Sequence, residues 1–170
     1  MPTSKPSHEL QQHGLQQEVG KIHPFEIPEQ EAFLNLLRTT SVLSREFAAL
    51  FKAHGISEPQ FNAMRIIAGS GKSGIRMEEI GQRMVAHDPD TTRLIRRLIE
   101  QGFVEKEKLA DDRRCSIARI TPEGRSLLRK LRPKVEKLHK DQLGHLDRNQ
   151  LKSLNALLVQ ARNPDNSVDH

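Results

Sequence analysis

The sequence has few of the residues that would place a protein in an oxidising compartment or on single-stranded nucleic acid. Among its 170 residues there are one cysteine, no tryptophan and no tyrosine. A single cysteine excludes an internal disulfide and is typical of a reducing compartment. With only six scattered phenylalanines, the chain lacks the aromatic platform on which single-stranded bases stack.

Long apolar runs and recognisable catalytic motifs are missing as well. Residues 1–20 lack the apolar core of a signal peptide, and no apolar run reaches the length of a membrane-spanning helix. We therefore expect a cytoplasmic protein with no membrane partner. The sequence shows neither a glycine-rich phosphate loop, nor a Cys/His cluster, nor a convincing nucleophile–base pair. It thus predicts no enzyme activity, no metal site and no cofactor.

Positive charge is present and unevenly placed. Lys and Arg number 27 against 22 Asp and Glu, which gives a formal net charge of +5. The basic residues concentrate between Arg93 and Lys140, where acids are clearly fewer. Such a region attracts phosphates, but it is also compatible with an ordinary solvated helix surface. Composition alone leaves both interpretations open.

The apolar pattern predicts a mainly α protein with a small β-hairpin. Residues 1–24 read as a flexible polar tail, 25–162 as one folded domain and 163–170 as a second tail. The first predicted helix runs from Pro28 to Ala53 with apolar residues at intervals of three and four. A capping box over 57–60 opens the second helix, and a short third helix follows from about Met77 to Met84.

The fourth predicted helix has two contrasting faces. Asp88 is the expected N-cap, Pro89 the first helical residue, and Gly102 marks the end. One side carries four apolar residues at helical spacing, Leu94, Ile95, Leu98 and Ile99. The other side carries three arginines together with Glu100: Arg93, Arg96 and Arg97. One face is predicted to be core and the other cationic.

The spacing of apolar residues changes from helical to alternating after this helix. Residues 103–106 and 115–120 predict two strands, with Cys115 or Ile117 facing inward, joined by a charged tip over 109–114. Thr121 is predicted to cap a further helix, and a capping box over 147–150 begins the last one.

Two short helices, the second basic on its outer face, followed by a hairpin form a winged helix-turn-helix candidate. The reading helix fits the major groove of duplex DNA, and an arginine at the wing tip fits the narrow minor groove. The candidates for base reading are Thr91, Thr92, Arg93 and Arg97, and the wing candidate is Arg113 or Arg114. The alternative is a winged module that docks an acidic protein partner without specific DNA binding.

These motifs resemble the multiple antibiotic resistance regulator (MarR) family. The resemblance rests on the fourth-helix motif, Gly102-Phe103-Val104, Asp112-Arg113-Arg114 and Ile120-Thr121-Pro122-Glu123-Gly124, together with the opening of the second helix. It implies a transcription regulator, with repression as the expected sense, that binds a palindromic operator as a homodimer through flanking dimerisation helices. It also assigns the wing motif to Asp112 and Arg114.

Two further expectations follow from the resemblance. The family often has an acid at the position of Arg96, so an added phosphate contact by Arg96 is expected here. Family members commonly respond to a small aromatic or phenolic effector, for which the candidate contacts are Phe51, His54, Phe61 and Arg65, each with an equally good structural role. Cys115 is expected to be a small buried hydrophobe and not a redox switch.

Overall fold

The computed structural model describes residues 14–85, 90–108 and 116–164. These residues form seven helices and three strands, which confirms the predicted fold class, mainly α with a small β element. The chain divides into two compact units, Met1–Arg45 and Glu46–His170. Within the described ranges, every helix is too short or too polar to cross a membrane.

The first unit contains α1 (Leu15–Glu18) and the beginning of α2 (Pro28–Lys52). Arg38 donates a hydrogen bond to Glu18 at 2.6 Å, and Leu15 is buried. The sequence predicts a flexible tail over 1–24, whereas 15–18 form a helical turn, which the polar composition of this segment does not reveal. Residues 1–13 lie outside the described part.

Two capping boxes begin helices of the second unit as predicted. At α3 (Glu58–Gly69), the Ser57 amide donates to Gln60 Oε1 at 2.8 Å and the Gln60 amide donates to Ser57 Oγ at 3.3 Å. At α7 (Arg148–Arg162), Asp147 and Gln150 exchange the equivalent bonds at 2.8 and 2.9 Å. These bonds satisfy amides that the first helical turn leaves without an intrahelical partner.

The helix before the hairpin begins later than the sequence predicts. Helix α5 spans Thr91–Glu100, and its N-cap is Asp90, whose side chain accepts from the Arg93 amide at 3.1 Å. The predicted cap, Asp88, and the predicted first residue, Pro89, lie outside the described residues. The prediction was wrong by two residues because two aspartates of equal capping ability flank the proline.

A three-stranded antiparallel sheet replaces the predicted two-stranded hairpin. Its strands are β1 (Ile75–Arg76), β2 (Val104–Lys108) and β3 (Ser116–Ile120), in the order β1-β3-β2. Strand β1 pairs with β3 through Ile75 and Ala118 and leads directly into α4 (Met77–Arg83). Two residues are too few to show an alternating pattern, so the sequence gives no sign of β1.

The inward face of β3 is the opposite of the predicted one. Ser116, Ala118 and Ile120 are buried, while Ile117 and Arg119 are half-buried. Both phases of the strand contain an isoleucine, and the buried phase is completed by small residues where β1 and α3 pack against it. Ile117 was therefore the wrong candidate, and Cys115 lies outside the described residues.

Helix α6 (Pro122–Leu143) is joined to the end of α5 through Thr121. The Thr121 amide donates to the Phe103 carbonyl at 3.1 Å, and its hydroxyl donates to the Gly102 carbonyl at 2.7 Å while it accepts from the Gly124 amide at 3.0 Å. The predicted cap is confirmed. The core around it is formed by residues from α2 to α6: Phe51, Met64, Ile67, Ile80, Ile95, Leu98, Val104 and Leu131.

We expect Gly124→Ala to destabilise the protein. A methyl group there would overlap the Phe103 carbonyl oxygen and lie 2.7 Å from Ile120 Cδ1, so the free energy of unfolding should fall by about 1–3 kcal/mol. Urea denaturation measures this. Gly69→Ala is the control, because its added methyl meets no atom within 4 Å. Equal effects of the two substitutions would contradict the packing argument.

Candidate nucleic-acid interface

Helix α5 buries one side and exposes a row of guanidinium groups on the other. Ile95 and Leu98 are completely buried and Leu94 is 7% exposed. Arg93 and Arg97 are four residues apart, and Arg96 lies beside them; all three are exposed. The predicted division of this helix into core and cationic faces is confirmed.

Two of the three guanidinium groups have only weak partners. Arg93 lies 3.8 Å from Asp90 and Arg96 lies 3.6 Å from Glu100, and all four side chains are more than half exposed. Exposed ion pairs of this kind contribute little stability. Either arginine can therefore exchange its carboxylate for a phosphate or a base edge at small cost. Arg96 thus has an acid partner within its own helix.

The two threonines at the start of α5 have different surroundings. Thr91 is half-buried, and its side chain faces Gly81 of α4, where an added Cβ would lie 3.2 Å from the Thr91 hydroxyl. Thr92 is exposed. Thr91 therefore helps to pack α4 against α5, whereas Thr92 belongs to the same open surface as the arginines.

A chain of amide hydrogen bonds fixes α5 relative to α3. Gln101, at the C-cap of α5, donates to the Gly55 carbonyl at 2.8 Å and accepts from Gln60 at 3.2 Å. Gln60 is buried. On α3, Asn62 accepts from the Val85 amide at 3.0 Å and so holds the chain just after α4. Gln101 and Asn62 give no signal in the sequence, since their partners lie 46 and 23 residues away.

A shallow cavity of about 200 Å³ opens between the first turns of α3 and α5. Its wall includes Arg93 and Arg97 beside Ser57, Gln60 and Asp90. The two guanidinium groups offer several N–H donors to an anion, and Asp90 opposes them with one negative charge. The arrangement suits a phosphate oxygen or a base edge that approaches from outside.

The hairpin after α5 has an outer strand that exposes acidic and basic side chains in equal number. Val104 pairs with Ile120 at its base, and Lys108 pairs with Ser116 at the last described step. Beyond Val104, every residue of β2 is exposed, including Lys106 and Lys108. The predicted wing residues Asp112, Arg113 and Arg114 lie outside the described residues, as does Cys115, and their roles stay predictions.

The four candidate effector contacts are not all brought together. The rings of Phe51 and Phe61 stack in the core with centroids 4.5 Å apart. His54 Nδ1 bonds the Leu50 carbonyl at 2.9 Å, and its Nε2 lies 3.3 Å from Lys134 Nζ. Only Phe61 and Arg65 line a second cavity of about 410 Å³ between α3 and α6, which Phe51 and His54 do not reach.

This second cavity has an apolar floor and a charged rim. Ala68, Leu128 and Val135 belong to the floor, and Arg65, Arg129, Arg132, Glu136 and His139 complete the wall. Arg132 donates to Glu136 at 2.8 Å, and this bond lowers the pKa of the Glu136 carboxyl and raises that of Arg132. Across the described ranges, His, Cys, Asp and Glu side chains do not gather into a group of three that could hold a metal ion.

Comparisons with known proteins find relatives by sequence. The family model described as "MarR family" matches residues 56–116. The transcriptional repressor MprA of Escherichia coli (strain K12) is 28% identical over 110 residues, which cover 64% of this chain. That match spans 62% of the repressor's length.

Solved structures extend the likeness to most of the folded chain. A MarR transcription factor from Planctomyces limnophilus is 32% identical with a TM-score of 0.63, over 79% of this chain and 98% of that one. BpsR of Bordetella bronchiseptica, whose DNA binding is regulated by 6-hydroxynicotinic acid, is 19% identical with a TM-score of 0.68, over 78% and 98%. MarR family members are transcription regulators and not enzymes, as the sequence predicts for this chain. The helix-turn-helix, its wing and a relative that is matched along almost its whole length assign the chain to one family: it belongs to the MarR family of transcription regulators.

Proposed function

We propose that the chain regulates transcription by binding a specific duplex DNA sequence, as a repressor that acts as a homodimer on a palindromic operator. The observation that carries this proposal is the exposed guanidinium row of α5, opposite its buried stripe and directly before the hairpin. In a helix-turn-helix, this is the surface that enters the major groove.

Within this proposal the arginines of α5 contact the major groove and the phosphates, and the wing contacts the minor groove. Arg93 and Arg97 are four residues apart on the open face and read base edges, where a guanidinium binds guanine in a bidentate manner. Arg96 contacts a phosphate. At the wing tip, Asp112 orients an arginine, and Arg114, with Arg113 as the alternative, enters the minor groove.

The proposal is tested with the duplex upstream of the protein's own gene. We expect binding about a thousandfold tighter than to a shuffled duplex of equal length and composition. Fluorescence anisotropy at a fixed salt concentration measures both. Equal affinity for the two duplexes, or no binding to either, would exclude sequence-specific regulation and favour a protein-docking module.

Arg97→Ala then separates base reading from phosphate contact. If Arg97 reads a base edge, the variant should lose preference at one base pair of each half-site by about 1–3 kcal/mol and keep its preference elsewhere. Arg148→Ala on α7 is the matched control. A uniform loss over all sequences would instead assign Arg97 to a phosphate.

The homodimer is supported by apolar side chains that remain outside the core. On α7 no residue is buried, and Leu154, Leu157 and Val159 are 38%, 64% and 50% exposed. In the first unit, α2 likewise exposes Phe33, Leu36 and Leu37. Apolar helix faces of this extent are typical of surfaces that a second subunit covers. A two-fold dimer also matches the symmetry of a palindromic operator.

We expect Leu157→Glu to shift the protein from dimer to monomer, because the charge would have to be buried in the subunit interface. Sedimentation velocity over a concentration series measures the shift. Asn149→Glu adds the same charge outside the apolar stripe of α7 and should leave the dimer intact. A wild-type monomer at every concentration would contradict the dimer.

An effector is supported by the second cavity. Its volume of about 410 Å³ lies in the usual range for small-molecule sites. The apolar floor suits an aromatic ring, and Arg65 and Arg129 have no ion-pair partner among the described residues, so either can bind a carboxylate. We propose that a small aromatic or phenolic acid binds here and releases the DNA.

We expect 6-hydroxynicotinic acid or benzoic acid to weaken operator binding by the wild-type protein. Arg65→Gln should raise the ligand concentration needed by about tenfold, through loss of a charge-assisted hydrogen bond, and leave affinity without ligand unchanged. Lys130→Gln on α6 is the control. Identical ligand responses of the two variants would place the ligand elsewhere.

A further inference from the structure

We propose that Arg119 is a positioning residue that fixes the direction of the wing by bridging strand β2 to the turn after α3. The inference rests on the proposed DNA binding, because wing direction matters only if the wing meets DNA. Arg119 lies on the central strand β3. It is not among the residues that the sequence predicts to contact DNA.

The guanidinium of Arg119 joins two distant segments of the chain. Its Nε donates to the Lys72 carbonyl at 3.0 Å, and its Nη1 forms a hydrogen-bonded ion pair with Glu107 of β2. Lys72 lies in the turn between α3 and β1. The planar fork of an arginine directs separate N–H groups at two acceptors, which a lysine ammonium does not reproduce.

The turn can reach Arg119 because Gly74 lies against β3. Gly74 has a φ of +72°, and a Cβ there would lie 2.7 Å from the Ala118 carbonyl oxygen and 2.8 Å from Arg119 Cγ. Only glycine allows both this backbone conformation and this approach. The turn is therefore packed on the strand and offers a fixed anchor for the guanidinium.

The wing strand needs such an anchor. Strand β2 is an edge strand, and after Val104 it has no buried side chain to hold it. Its ladder to β3 ties the two wing strands together, but a two-stranded ribbon alone is marginally stable and strongly twisted. The two residues of β1 pair with β3 but not with β2, and the bridge through Arg119 adds a tie from β2 itself to the α3–β1 turn.

The exposure and charge of the pair favour positioning over direct phosphate contact. The Arg119 side chain is 30% exposed, about half the exposure of Arg93 or Arg96. Glu107 carries a negative charge on a strand that leads towards DNA, where it repels phosphate. Its pairing with Arg119 gives that charge a structural use.

The test compares two acids of the same strand. Removing an acid from the wing should tighten DNA binding if only charge matters. We expect Glu105→Ala to bind the upstream duplex as tightly as the wild type or more tightly. Glu107→Ala should bind about tenfold more weakly, the range expected for loss of one charge-assisted hydrogen bond. Equal tightening by both variants would overturn the proposal.

Arg119→Lys distinguishes the effect of the hydrogen-bonded bridge from the effect of the positive charge. It keeps the charge but not the fork, so we expect weaker DNA binding with an unchanged salt slope. Retained affinity would overturn the proposal, and a reduced slope with a loss uniform over all sequences would show a phosphate contact instead.

Amide hydrogen exchange of the protein without DNA tests whether the Arg119 bridge stabilises strand β2. Amides of residues 104–108 should exchange faster in Arg119→Lys and Glu107→Ala than in Glu105→Ala, while those of α3 stay protected. Unchanged exchange in 104–108 would overturn the bridge. A wild-type protein that binds no duplex would remove the proposed function but leave this measurement valid.

Discussion

The burial of three apolar residues on α5 is the constraint on which the rest of the interface depends. Leu94, Ile95 and Leu98 fill the space between α3, α4 and the sheet, and each such side chain contributes about 1.5–3 kcal/mol when buried. A rotation of α5 about its axis would expose them. The helix therefore has one orientation, and the guanidinium groups on its other side point outward because the leucines and isoleucine cannot.

Local signals in the sequence were sufficient for much of this architecture. Some of these signals are side-chain caps, at Ser57, Thr121 and Asp147. Others are the helical spacing of apolar residues in α2 and α5. Each signal involves residues within one or two helical turns of each other. Such signals can be read from a short window of sequence. The presence, order and type of all elements except α1 and β1 follow from them, and so does the division of α5 into two faces.

The features that escaped prediction depend on residues far apart in the chain or on a choice between equivalent residues. Asp88 and Asp90 are equally good caps in the sequence, and the side chain that accepts from the Arg93 amide is that of Asp90. The inward face of β3 is decided by its partner strand and by α3, not by its own apolar residues. The glutamine link between α3 and α5 joins positions 41 residues apart, and a pattern of local periods contains no trace of it.

The Thr121 junction has a mechanical consequence for how the molecule can respond to anything bound along α6. The side chain and the amide of Thr121 connect the start of α6 to Gly102 and Phe103, the two residues that follow the C-cap of α5. A movement of the first turn of α6 either stretches both bonds beyond hydrogen-bonding distance or carries Gly102 and Phe103 with it. The end of α5 that holds Gln101 would then be displaced with respect to α3, and the spacing of its arginines from the rest of the interface would change. Threonine at this position thus couples the position of α5 to that of α6.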